Sequence, residues 1–246
     1  MKHKYWIDSQ KVATAPVVLL MIAGYGAWDN LVAWVYLGMH GTYGLLWMLK
    51  SRTFPDSSWE RPVSFAYGMT TWIGLSLYWI APWLITSQGV HAPPWLLGLS
   101  VFVYGFGVLL HFAADMQKHT SLALRPGHLI TTGLFARTRN PNYLGELLIY
   151  LSFAALAMHW APLAVVALFL VVVWIPNMRR KDRSLTRYPA FAAYKNRTFM
   201  LIPKLKWKRE AVPGQTHRIG SNKCSSGSPR NRRQQGGMAP PPAGPR

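Results

Sequence analysis

Six apolar runs separated by short polar or basic segments set the pattern of this chain. They lie at residues 12–28, 31–49, 63–85, 94–113, 143–158 and 162–176. A helix that crosses a bilayer needs about 20 apolar residues, so each run predicts a span. The first and the last two are short, which predicts tilted or partly buried helices there. Residues 115–140 read as a polar loop, with Pro126-Gly127 as a turn and Gly133 as a helix breaker. Asn140 is placed to cap the next helix and Pro141 suits its first turn. His159-Trp160-Ala161-Pro162 is a tight connection that makes the last two spans a hairpin. The pattern predicts an all-α, polytopic integral membrane protein with about six transmembrane helices. Residues 1–113 would hold the N-terminal helices and 114–209 a catalytic-type region with a basic, amphipathic segment after Pro176. Residues 210–246, dominated by Gly, Ser, Pro, Gln and Arg, read as a disordered tail.

Charge adds an orientation. The chain has 27 Lys and Arg against 8 acidic residues, a formal net charge of +19. With both termini on one side of the membrane, all 27 fall on that side, and the opposite connections at 29–30, 86–93 and 159–161 carry none. The positive-inside rule then puts the basic loops and both termini in the cytoplasm, at a bacterial inner membrane or the endoplasmic reticulum. Nucleic-acid binding is not needed to explain a charge that follows topology. Residues 1–11 lack a convincing cleavage site, so the first run is expected to be a retained span. The single cysteine, Cys224, allows neither an intrachain disulfide nor a cysteine-based metal site. Gly38, Gly41 and Gly44 predict a close helix contact in the second span, and His40 and Tyr43 beside it either face an active cavity or, as the favoured expectation, pack in that contact.

Candidate chemistry concentrates in the second half. Residues 137–146 carry Arg137 and Arg139 to the start of an apolar helix and leave Glu146 one turn inside it. An ionisable group at that depth is expensive and marks a functional site by default. The competing expectation is that Glu146 only pairs with Arg139 or another basic neighbour to hold a helix end. Asn142 and Glu146 are four apart and project together, as do Arg139 and Tyr143. His111, Asp115 and Lys118 share one face at spacings of four and three, and Lys195 and Arg197 add cations beside Tyr194. Cationic walls, a buried acid, an amide and a phenol suit a polyanionic or zwitterionic cofactor. No glycine-rich dinucleotide fingerprint is present, and the scattered histidines have no metal-ligand spacing.

The run Arg139-Asn140-Pro141-Asn142-Tyr143-Leu144-Gly145-Glu146 resembles the Arg-His-Pro-Asn-Tyr-x-Gly-Glu signature of the steroid 5-alpha-reductase C-terminal-domain family. That family shares a membrane fold with sterol reductases and isoprenylcysteine carboxyl methyltransferases. The resemblance extends over about 112–203, through Asp115-Met116-Gln117-Lys118, Gly133-Leu134-Phe135, Tyr194, Arg197 and Ile202-Pro203. The chain departs from the signature at Asn140, where the family has His. The resemblance implies an oxidoreductase acting on a carbon–carbon double bond of a lipophilic, enone-like substrate reached from the membrane lipid, with NADPH as cofactor. Lys118, Arg137, Arg139 and Arg197 would hold its phosphates. Asp115, Asn142 and Glu146 would hold ribose or amide groups, and Tyr143 would polarise a carbonyl or supply a proton. The methyltransferase branch implies S-adenosylmethionine instead, and a non-catalytic scaffold that keeps the fold is the third possibility.

Overall fold

A computed structural model describes residues 1–204. The tail expected at 210–246, and Cys224 within it, lie outside the described residues. The described chain is mostly helical, with no strand, only isolated bridges joining Lys2 to Pro62 and Thr138 to Phe199. Its helices are α1 (His3–Gly24), α2 (Leu31–Thr53), α3 (Phe65–Ser76), α4 (Ile80–Ser87), α5 (Pro94–Leu124), α6 (Pro141–Leu156), α7 (Trp160–Phe169), α8 (Ile175–Leu185) and α9 (Phe191–Arg197).

Local chemistry explains most of their starts. The Asn30 side chain accepts from Ala33 N at the head of α2, and the Ser64 hydroxyl accepts from Tyr67 N at the head of α3. Proline opens both α5 and α6, where a missing N–H costs nothing. A 3₁₀ turn at Leu77–Trp79 joins α3 to α4. A π turn at Leu170–Trp174 joins α7 to α8, giving one continuous helix from Trp160 to Leu185. Pro176 has no N–H and crowds the carbonyl four residues back. The wider turn just before it accommodates that defect without ending the helix.

Three helices are long and apolar enough to cross a membrane: His3–Gly24, Pro94–Leu124 and Trp160–Leu185. Leu20, Leu45, Phe102, Leu109 and Val171 face outwards and are exposed, as lipid-facing side chains must be where water is absent. The interior is aromatic, with Tyr36, Tyr43, Tyr150 and Phe153 buried against Ile22, Ile85 and Ile149.

Two expectations about extent need correcting. The helix expected to end at 113 continues to Leu124, so Asp115 and Lys118 are helical and the loop begins only at Arg125. The span expected to stop at Pro176 runs on to Leu185. In both cases the chain leaves its apolar run without leaving the helix. Of the three glycines in α2, only Gly44 meets α1 closely: a Cβ there would lie 3.0 Å from the Lys11 carbonyl oxygen.

Candidate functional site

The tightest crossing in the bundle positions the site. At Gly145 in α6, a Cβ would lie 2.6 Å from the Gly107 carbonyl oxygen and 2.8 Å from His111 Cα, both in α5. That approach lets the His111 ring reach the first turn of α6, where Nδ1 donates to the Asn142 carbonyl at 3.1 Å. With Nδ1 donating, Nε2 is left to accept from Lys50 Nζ at 3.2 Å. The Lys50 ammonium also pairs with the Asp115 carboxylate. Lys50 is only 2% exposed, so this chain of contacts ties α2, α5 and α6 together inside the bundle.

Arg139 joins a different set. It is 6% exposed, and its guanidinium grips Asp182 of α8, with Nε 3.0 and 3.1 Å from the two carboxylate oxygens and a second nitrogen 2.9 Å away. A third nitrogen donates to the Thr198 carbonyl at 2.8 Å. The pairing of Arg139 with Glu146, weighed from sequence, does not form among the described residues. Asn140 stands at the N-cap position but does not cap, which corrects another expectation. Its amide nitrogen donates to the Met200 carbonyl at 2.8 Å, and its oxygen accepts from Lys181 Nζ at 3.0 Å. The amide supplies both the donor and the acceptor from one short planar end, so the departure at this position has a local use.

The remaining predicted residues divide. Lys118 pairs with Asp56 at 3.0 Å. Burial alone would raise the Asp56 carboxyl, but the Lys118 ammonium and hydrogen bonds from Ser58 outweigh it and hold it well below the usual carboxylate range. A depressed folded-state value adds stability that is present above about pH 4 and is lost as pH falls through the folded value. Asp56→Asn should therefore lower the thermal midpoint at neutral pH. That difference from wild type should shrink as the buffer is taken below about pH 4. A gap unchanged at acid pH would show that the clasp is not ionic.

Arg197 lies over the Tyr194 ring, 5.7 Å from its centroid. The Tyr194 hydroxyl donates to the Phe135 carbonyl at 2.7 Å, and burial pushes it up to about 12, opposed by Arg139 and Arg197. The Arg137 carbonyl accepts from Lys204 N at 3.2 Å. The Tyr143 ring packs against Trp174, with its hydroxyl directed at the Asn177 side chain.

Asn142 and Glu146 differ from all of these. The Asn142 side-chain oxygen is buried and has no partner. Among the described residues the Glu146 carboxylate takes no hydrogen bond and no ion pair, although Lys11 and Lys50 lie within electrostatic reach. Glu146 keeps part of its surface open while its helical neighbour Gly145 is buried. Two acceptors one turn apart on α6 thus have no hydrogen-bond donor among the described residues.

Beside this end of the bundle, α8 and α9 border a cleft of about 560 Å³ lined by Arg179, Arg180, Arg183 and Lys195, with Phe191 and Thr186. Asp182 also lines it, but Arg139 neutralises that carboxylate. The cleft therefore presents cations.

Residues 67–198 match the model of a family described as a protein of unknown function, DUF1295. The chain belongs to the DUF1295 family. That family falls within the steroid 5-alpha-reductase-like superfamily. The chain is also similar to the cobalt-zinc-cadmium resistance protein CzcN of Cupriavidus metallidurans, 28% identical over 147 residues. The aligned part covers 59% of this chain and 60% of that protein. No solved structure matches.

The DUF1295 segment contains α4 to α9 and most of α3, but not Lys11 or Lys50. From sequence those two lysines count only among the basic residues on one side of the membrane. Lys11 is 3% exposed and Lys50 2%. The one sequence signal for them is position: each sits where a helix could extend an apolar run past its charged edge.

Proposed function

We propose that this DUF1295 protein is a membrane-embedded reductase that uses NADPH on the double bond of a lipophilic, enone-like substrate. The observation that carries the proposal is the buried, unpartnered Asn142 Oδ1, one turn from the Glu146 carboxylate on α6. A buried acceptor without a partner is costly, and the donors that fit are the N–H₂ of a carboxamide or the hydroxyls of a ribose. The Arg179, Arg180, Arg183 and Lys195 cleft supplies cations of the kind that phosphates require. Arg137 and Arg197 extend that cationic surface in the proposal. Lys118, Asp115 and Arg139, engaged with Asp56, Lys50 and Asp182, would shape the site rather than grip the cofactor directly. Tyr143 would line its edge. When bound, NADPH supplies a hydride; the protein's part is to hold and orient it and to exclude water.

S-adenosylmethionine fits less well. It would bring an ammonium and a sulfonium to an acid already flanked by two lysines. The name of CzcN places that protein in metal resistance. Among the described residues of this chain no group of three or more His, Cys, Asp or Glu gathers as a metal set, and the proposed lipid substrate rests on the superfamily instead. The same proposal takes six crossings, with α3–α4 and α7–α8 each counted once, and places the basic end and both termini in the cytoplasm.

Thermal unfolding of the detergent-purified chain tests it. NADPH at a hundred times its Kd should stabilise the fold by about 2.7 kcal/mol, and Glu146→Gln should remove most of that gain. A shift with S-adenosylmethionine alone would overturn the reductase proposal. No shift with either compound would leave the scaffold alternative.

A further inference from the structure

The exposed face of the continuous helix from Trp160 to Leu185 changes character along its length. Val171 and Val172 are each 61% exposed, on the apolar part that can cross a membrane. From Val172 the exposed positions step by about one turn through Pro176, Arg179 and Arg183 to Thr186, with Arg180 alongside. Those residues after Val172, with Lys195 and Phe191 of α9, line the cleft of about 560 Å³. The lipid-facing stripe thus runs without a break into a set of cations. At about 1.5 Å of rise per residue, Val172 lies about 10 Å along the axis from Arg179. Just past α9, Phe199 and Ile202 are 53% and 66% exposed, in a stretch that also carries Arg197 and Lys204. Exposed apolar groups among cations suit a surface that rests at a headgroup layer.

The charge on this cleft calls for an anion. Arg179, Arg180, Arg183 and Lys195 line it, and the acid on its wall, Asp182, is already held by Arg139. Guanidinium groups take phosphate oxygens bidentately, and an ammonium adds a compact point charge. A free phosphate would answer the cations but leave the apolar approach unused. A glycerophospholipid answers both, with its phosphate at the arginines and the first methylenes of its acyl chains on Pro176 and Val172. Phosphatidylcholine brings a cation of its own into the cleft, so the match is to a lipid of net negative charge.

We propose that the cleft between α8 and α9 docks an anionic membrane phospholipid, and that this lipid and the phosphates of NADPH exclude each other there. The docking stands on the cleft and its apolar approach alone. The exclusion rests on the reductase proposal. An anionic bilayer holds a high density of phosphates beside the cleft, so the affinity for NADPH falls as the charge of the membrane rises. The composition of the membrane then sets how much of the protein carries its cofactor.

Lipid binding can be read without turnover. The full chain in a neutral detergent is titrated with phosphatidylglycerol and with phosphatidylcholine of the same chain length, and retained lipid is counted by native mass spectrometry. Wild type should retain phosphatidylglycerol in preference to phosphatidylcholine, and NADPH should displace it. Inorganic phosphate, which has no apolar part, should displace it only in large excess. Arg180→Gln should weaken retention about fivefold, the effect of one interfacial cation. Val172→Ser should also weaken it and so narrow the lipid's advantage over inorganic phosphate. Arg125→Gln removes an exposed cation at the end of α5, outside the cleft lining, and should leave retention unchanged. All three substitutions fall at exposed positions, and a wild-type melting temperature without ligand checks that each variant folds. Equal retention of the two lipids overturns the docking. So does an equal loss in Arg125→Gln, which would mean diffuse attraction, or displacement by equimolar inorganic phosphate, which would mean a free-anion site. A melting gain from NADPH with phosphatidylglycerol still bound overturns the exclusion. Preferential retention of phosphatidylglycerol with no NADPH effect on wild type overturns the reductase proposal and leaves the lipid site standing.

Discussion

Gly145→Ala is expected to destabilise the protein by about 3 kcal/mol, the upper part of the usual range for overpacking. The added methyl would meet backbone, not a side chain that can swing away: the Gly107 carbonyl oxygen at 2.6 Å and His111 Cα at 2.8 Å. Relief requires α5 and α6 to separate. Separation would lengthen the bond from the His111 ring to the Asn142 carbonyl and shift Asn142 and Glu146 from their places. The variant should therefore lose NADPH stabilisation along with fold stability. Gly98→Ala, in the same α5 with nothing within 4 Å of the added atom, is the control and should be neutral or slightly stabilising. Denaturant or thermal unfolding in detergent measures both. Equal midpoints for Gly145→Ala and wild type would show that the helices do not cross so closely.

Arg139→Ala should cost about 3–5 kcal/mol, because it strands the Asp182 carboxylate in a poorly solvated place. The side chains of the pair are 7% and 14% exposed, so water does little to compensate either partner. Arg139→Lys should recover only part of the loss. A lysine cannot span Asp182 and the Thr198 carbonyl together, as the guanidinium does. The double variant Arg139→Ala/Asp182→Ala should be more stable than Arg139→Ala alone, since it removes the stranded charge. Additive losses in that pair would show that the contact is not an ion pair.

The helices were legible because apolar runs of span length leave little alternative, and the motif at 137–146 was legible because it places charge where charge is expensive. The termini were harder. A helix does not stop where hydrophobicity stops, so the extensions of α5 to Leu124 and of α7–α8 to Leu185 left no mark in the apolar pattern. The Arg139–Asp182 pair depends on the second extension, which carries Asp182 to the motif across 43 residues of sequence. Asn140 shows a local rule yielding to tertiary demand: its capping capacity is spent instead on Met200 and Lys181. The burial of Lys11 and Lys50 was hidden for a related reason. A lysine beside an apolar run has the same appearance whether it anchors at an interface or turns into the bundle, and only packing distinguishes the two.

The burial of those lysines has a consequence for biosynthesis. Helices α1 and α2 are made before α5 and α6, so Lys11 and Lys50 emerge from the ribosome well ahead of Tyr150, Glu146 and Asp115. A lysine at the centre of an inserting helix is disfavoured by about 2.5–3.5 kcal/mol, and by less near a helix end such as that of Lys50 in the last turn of α2. The early helices therefore have reason to stay shallow, with their ammonium groups in the headgroup layer, until the later ones arrive. Membrane integration of the first half is in this sense completed by the second.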